Sequence, residues 1–203
     1  MIEVEIKAHI QNPDDLRQRF IKENGTYQFS LLHEDTYYNM PIELRDFRET
    51  DEALRIRKSV KYIREKPQDK QKSYYITYKG AKLDTSTKTR KEMETKIDDG
   101  EILKGILKKL GFREVLTVKK ERELYTFNYQ DKKIEVLIDY LPILEQHFIE
   151  VELLVKEESR IPQARERLFS FLKSFNIDKQ NSIRKSYLEL IIEMSQPNEE
   201  KLW

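Results

Sequence analysis

Ile2-Glu3-Val4-Glu5-Ile6-Lys7-Ala8 places its apolar side chains on even positions and its charges on odd ones. Leu54-Arg55-Ile56-Arg57 and Ile149-Glu150-Val151-Glu152-Leu153 repeat the pattern. A period of two makes strands with one apolar and one charged face. Further strands are predicted from Gly25 to about Tyr38, at 74–79, 89–97, 112–128 and 132–140, and the strand carrying Glu150 spans 146–155. Lys61 to Lys72, highly charged and containing Pro67, reads as a solvated hairpin loop.

Helical spacing separates some of these strands. Asn12-Pro13-Asp14-Asp15 combines a cap, a first-turn proline and acids at the positive end of the dipole, with Leu16 and Phe20 on one buried face. Asp98-Asp99 opens a second helix, with Ile102, Leu103, Ile106, Leu107 and Leu110 on one face and Gly111 at its end. Pro162 starts a third, burying Ala164, Leu168, Phe171, Leu172 and Phe175. A last helix is expected over 182–193. No linker divides the chain, so the expectation is one domain over 1–195. Its strands fill 1–155, its C-terminal helices 161–194, and 196–203 form a loose tail.

The charged faces then become the issue. By alternation Glu3, Glu5 and Lys7 share a face, as do Arg55 and Arg57, Thr77 and Lys79, Arg90, Glu92 and Glu94, Lys120 and Arg122, and Glu150 and Glu152; Asp139 lies near the end of its strand. Lys119 has the opposite parity and is expected outside. Two architectures accommodate this. One is an open antiparallel sheet with a solvated, salt-bridged face. The other is a closed tunnel, with helices on the apolar outer faces and charges lining the lumen. Buried unpaired charge is costly, so a charged lumen must pair, stay wet or receive a charged ligand. Guanidinium and ammonium groups match phosphate oxygens, and clustered carboxylates match hard cations.

Composition narrows the partners. Charged residues make up 37% of the 203 residues, yet the net charge is only +1. No global basic surface suggests nucleic acid, and no specific nucleic-acid partner is expected. With 11 Tyr and 9 Phe the chain is not of disordered composition. The absence of cysteine excludes disulfides and thiolate zinc sites. No apolar run reaches membrane-spanning length and no signal peptide is recognisable, so the default expectation is a cytoplasmic protein without a membrane partner. His9, His33 and His147 show no zinc spacing and read as solvated or structural.

In this order along the chain, Glu3-x-Glu5-x-Lys7, DTYYN at 35–39, DEALRIRK at 51–58, TYKG at 77–80, RKEMET at 90–95, VKKERELY at 118–125, LIDYLP at 137–142 and FIEVELL at 148–154 resemble the CYTH superfamily, the triphosphate tunnel metalloenzymes. RDFRETDEALRIR at 45–57 and ITYKGAKLD at 76–84 look most like its class IV adenylyl cyclase-like branch. The resemblance implies an α+β fold: an eight-stranded antiparallel β tunnel, a closed barrel with a charged lumen and helices packed outside. It implies a triphosphate substrate such as ATP or tripolyphosphate, with Mg²⁺ or Mn²⁺ as cofactor, in a monomer or homodimer.

Carried over by position, Glu3, Glu5, Asp139, Glu150 and Glu152 form the metal-binding set, with Asp139 alternatively orienting a Lys or Arg. Lys7, Arg55, Arg57, Lys79, Lys120 and Arg122 form a phosphate clamp. Lys7, Arg57, Glu150 and Glu152 are the catalytic candidates, and Arg90, Glu92 and Glu94 belong to the tunnel wall. Asp35 and Tyr37 are possible contributors to the tunnel; Lys185 and Tyr187 read better as an ordinary amphipathic helix surface. Many relatives carry Leu-Gly before the FxExE strand; here Leu144-Glu145-Gln146-His147-Phe148 must turn without glycine. Three activities remain open: cyclisation of ATP to cyclic AMP and pyrophosphate, which leads; hydrolysis of inorganic, thiamine or nucleoside triphosphate to orthophosphate; and non-catalytic polyphosphate or nucleotide binding.

Overall fold

The computed structural model describes residues 2–83 and 87–195; the predicted tail at 196–203 lies outside them. Eight antiparallel strands close into a ring: β1 (Ile2–Ile10), β2 (Thr26–Asn39), β3 (Ala53–Ile63), β4 (Lys66–Lys82), β5 (Arg90–Ile97), β6 (Arg113–Tyr129), β7 (Lys132–Leu141) and β8 (Gln146–Val155). Their order around the ring is β1-β5-β4-β3-β2-β6-β7-β8. The tunnel, not the open sheet, is the architecture.

The outer face carries the apolar half of the alternation. Ile2, Val4, Ile6, Ile134, Val136, Ile138, Ile149, Val151 and Leu153 pack with residues of α1 (Pro13–Lys22) and α3 (Ile161–Ser174) in one core. Phe20 is fully buried there, its ring edge-on to Tyr125, Phe127 and Phe175. Losing such a ring typically costs ~3–5 kcal/mol. Asn12 caps α1 through its side chain, which accepts from the Asp15 N–H at 3.0 Å. Gly25 then lets the chain pass Phe127 closely, since a Cβ there would stand 2.3 Å from the ring.

Three expectations need correction. The segment 61–72 is not a loop: β3 and β4 run on as a paired hairpin as far as Ile63↔Lys66, turning at Arg64-Glu65. Cross-strand pairing with β3 outweighs the local charge and Pro67, whose open β4 edge requires no N–H. The second helix, α2 (Gly100–Lys109), buries Leu107 but leaves Ile102, Ile106 and Leu110 exposed, because it rests on the ring through a small cluster with Tyr38 and Ile56 and through Gly100 on Tyr74. The last helix, α4 (Tyr187–Ser195), begins later than expected. Ser182 and Ile183 instead pair with β1, at Ala8 and through an Ile183 N–H bond to the Lys7 carbonyl at 2.7 Å. The turn before β8 is made without glycine: Glu145 adopts φ 52°, and its N–H donates to the Pro142 carbonyl at 3.2 Å.

Helix α4 differs from α1 and α3 in what it covers. Tyr187, Leu188 and Ile191 pack on Val118, Leu141 and Phe148. These share strand parity with Lys120, Asp139 and Glu150, so α4 seats against lumen-facing residues at one end of the ring. Tyr187 is therefore part of the tunnel's structure, whereas the Lys185 side chain stays exposed beside Glu193, as expected of a surface residue.

Candidate active site

Alternation aims the charged halves of the strands at one another across the lumen. A cavity of about 320 Å³ results. Its wall includes Glu3, Glu5, Arg55, Arg57, Lys79, Arg90, Glu92, Glu94, Lys120, Arg122, Glu150 and Glu152, all predicted from the sequence. Lys7 and Asp139 do not reach this wall. Each is fully buried behind it.

The acidic end is built where β1 and β8 pair, with Glu5 opposite Glu152 and Lys7 opposite Glu150. One carboxylate oxygen from each of Glu3, Glu5 and Glu152 lies within 4.8 Å of the others. Burial pushes Glu5 up to about 7, and the neighbouring Glu150 charge adds to it. Burial also raises Glu152 well above the carboxylate range, with the Glu3 charge contributing, and Glu3 rises through burial and Glu92. These carboxylates disfavour joint ionisation without a counter-charge. A convergent, oxygen-only donor set of this kind fits a hard divalent cation.

Glu150 behaves oppositely. Burial alone would raise it, but Lys88, Arg122 and Lys120 hold it well below the usual range. Lys88 Nζ donates to Glu150 Oε1 at 2.9 Å and also to Glu5 Oε1; Arg122 Nη2 donates to Glu150 Oε2. Glu150 is thus held by cations and, though it shares Lys88 with Glu5, is not one of the three carboxylates whose oxygens converge.

The basic wall is braced by two buried aspartates. Asp139 accepts from Arg122, from Tyr187 Oη at 2.8 Å and from Lys120 Nζ at 3.4 Å. Its surroundings are those of an anchor for cations. Asp35 accepts from Arg57 Nε at 2.6 Å and Nη2 at 2.7 Å, and lies 3.6 Å from Arg55 Nη1. Despite its burial, Asp35 is held well below the usual range by Arg57 and Arg55. Arg55 Nη2 donates to Thr77 Oγ1 at 2.9 Å and to Glu94 at 3.2 Å, while its buried Nε meets no acceptor among the described residues. Lys79 pairs with Glu92 at 2.5 Å, and Arg90 donates to the Asp51 carbonyl at 3.3 Å.

Lys7 donates to the Lys185 carbonyl and lies 4.0 Å from the Tyr187 ring centre. Burial, reinforced by Lys88, lowers it to about 7. Burial and Arg122 lower Lys120 to about 8. Tyr37, Phe47, Val115 and Leu188 contribute an apolar section of the same cavity.

Sequence reasoning missed Lys88, which lies outside every strand; its one signal was a parity shared with Arg90 and Glu92, two residues upstream. It named Asp35 with Tyr37 as a contributor to the tunnel, and both line the cavity, but gave Asp35 no part in holding Arg55 and Arg57. Tyr187 carried no signal, since its place depends on how α4 closes the ring's end. His33 is buried, as a structural histidine would be, though its Nδ1 lacks a partner among the described residues.

Comparison with known proteins agrees with this architecture. The chain is 41% identical over 190 residues to "Putative adenylate cyclase MJ0240" of Methanocaldococcus jannaschii, covering 94% of this chain and 98% of that protein. The structure of PH1819 from Pyrococcus horikoshii OT3 superposes with a TM-score of 0.79 at 38% identity, covering 95% of this chain and 99% of that one. A more distant fold relative is HpAC1 of Hippeastrum, with a TM-score of 0.60 at 16% identity and 95% coverage of both chains. The profile of the CYTH domain matches residues 1–187, and with eight strands closed around a charged lumen the chain belongs to the CYTH family.

Proposed function

We propose that this protein is a metal-dependent enzyme acting on a triphosphate, most closely an adenylyl cyclase-like enzyme that converts ATP to cyclic AMP and pyrophosphate. The observation that carries this reading is the sharing of one cavity by the Glu3, Glu5 and Glu152 oxygens and by Arg55, Arg57, Lys79, Lys120 and Arg122. Glu3, Glu5 and Glu152 would hold Mg²⁺ or Mn²⁺, which when bound offsets charge developing on phosphoryl oxygens. The guanidiniums of Arg55, Arg57 and Arg122 bind non-bridging oxygens, and the unpaired Arg55 Nε is a donor ready for one. Asp35 and Asp139 orient those cations. Lys7, buried behind the wall, would have to exchange the Lys185 carbonyl for a phosphate oxygen to reach the substrate, and such an anion would favour its charged form.

In the cyclase reaction the ribose 3′-oxygen forms a bond to the α-phosphorus, its proton is released, and the bond from the α-phosphorus to the bridging oxygen breaks with loss of pyrophosphate. The apolar section at Tyr37, Phe47, Val115 and Leu188 offers the nucleoside a dry surface. A second reading is triphosphate hydrolysis to orthophosphate. It is supported by HpAC1, a fold relative described as having a dominant triphosphatase activity.

The test is a product assay with ATP and, separately, tripolyphosphate, each with Mg²⁺ or Mn²⁺. Cyclic AMP with equimolar pyrophosphate establishes the cyclase. Orthophosphate without cyclic AMP establishes the triphosphatase. No turnover of either, with tight triphosphate binding, leaves a binding module.

A further inference from the structure

Lys88 enters the lumen where the ring is weakest. Among the described residues the β1–β5 seam is paired only at Ile2↔Lys91 and Glu3↔Arg90. One further link, from the Lys88 N–H to the Glu5 carbonyl at 3.1 Å, continues it. That link turns the Lys88 ammonium inward, onto Glu5 Oε1 and Glu150 Oε1 together. Arg122 occupies the other Glu150 oxygen. The three side chains are between 3% and 11% exposed, so the charge pairing takes place out of bulk water.

The acidic end is thereby divided. On one side the oxygens of Glu3, Glu5 and Glu152 converge within 4.8 Å. On the other, Glu5 and Glu150 are already bridged by an ammonium. A cation placed between Glu5 and Glu150 would have to displace Lys88 from both carboxylates and sit against Arg122. Building on the metal-site reading above, we propose that Lys88 is a resident counter-ion that fills the second of two adjacent cation places, so that the chain takes one divalent ion, at Glu3, Glu5 and Glu152, instead of two. Lys88 is in this sense a positioning residue: it sets metal stoichiometry and holds Glu150 in place for Arg122.

The experiment counts Mn²⁺ bound per chain, by equilibrium titration of the metal-free full-length protein with free Mn²⁺ read by electron paramagnetic resonance. The variants are Lys88→Met, Lys88→Arg, the double variant Lys88→Met/Glu150→Gln, and Glu152→Gln. Expected counts are one for the parent chain, two for Lys88→Met, and one for both Lys88→Arg and the double variant. Thermal melting with and without Mn²⁺ checks folding; if Lys88→Met does not fold without metal, the count is made on Lys88→Gln. One ion in both Lys88→Met and Lys88→Gln overturns the inference and leaves the proposed function standing. So do two ions in the parent chain. No Mn²⁺ bound by the parent, or a count unchanged by Glu152→Gln, overturns the metal site and this inference with it.

Discussion

Arg122 and Asp139 meet in a bidentate pair, Nε to Oδ1 and Nη2 to Oδ2, both at 2.6 Å, with Asp139 entirely buried. The two residues are direct partners across β6 and β7. Fork-to-carboxylate geometry is the strongest arrangement such a pair can adopt. It holds one face of the guanidinium while leaving Nη2 able to reach Glu150. Removing one partner leaves the other charge buried.

Asp139→Ala is therefore expected to destabilise the fold by ~3–5 kcal/mol, the usual cost of breaking a buried pair. Urea denaturation of parent and variant measures this. A change below about 1 kcal/mol, the range of exposed pairs, would show that water replaces the carboxylate.

Asp35 braces Arg57 and Arg55 in the same way. Asp35→Asn leaves two cations facing each other without a full counter-charge, so the melting temperature drops. On the proposed function tripolyphosphate would bind those cations in the folded state only, and so restore more of the melting temperature in the variant than it adds to the parent. Thermal melts across a tripolyphosphate series check this; an equal increment in both proteins counts against Arg55 and Arg57 as phosphate ligands.

Glu152→Gln retains shape and removes one convergent carboxylate. Loss of the metal's charge stabilisation is worth several kcal/mol, so turnover falls about 100-fold or more, while circular dichroism and melting remain near the parent. Metal-dependent turnover within a few-fold of the parent would remove Glu152 from the metal set.

Glu5 gives the metal-free protein a pH signature. Its folded-state pKa is raised from 4.5 to about 7 by burial and Glu150. Between those values the folded state binds a proton that the unfolded chain has released, so this contribution is full below about 4.5 and is lost as pH rises through about 7. Melting temperature against pH, compared between parent and Glu5→Gln, isolates it. Over pH 4.5–7 the parent should lose stability relative to the variant, and Mn²⁺ should reverse that loss above pH 7. A parallel pair of profiles would mean that Lys88 keeps Glu5 ionised throughout.

Much of this site is legible in the amino-acid pattern, because a strand's period of two assigns each residue to one face. That rule placed Glu3, Glu5, Arg55, Arg57, Lys120, Arg122, Glu150 and Glu152 together, and the fold brings them to one cavity wall. It failed where a residue's direction is not set by a strand. Lys88 precedes β5, and its inward turn depends on a single backbone link to Glu5. The hairpin at 61–72 failed for the converse reason: its composition is that of a loop, and only pairing across to β3 makes it a strand.

The pattern of the chain determined which side chains share a face, since that follows from local backbone geometry alone. It left the open sheet and the tunnel equally available, because both satisfy the same alternation. Tertiary structure decided between them through the β1–β5 seam and the seating of α4 on Val118, Leu141 and Phe148. It also decided which charges stand free for a ligand and which are spent on one another. Glu150 and Glu152 are identical in sequence terms, two residues apart on one strand. Glu150 is bonded by Lys88 and Arg122, whereas Glu152 converges with Glu3 and Glu5 and meets Arg122 only at 3.9 Å. That difference arises from contacts between distant parts of the chain, which no local period encodes.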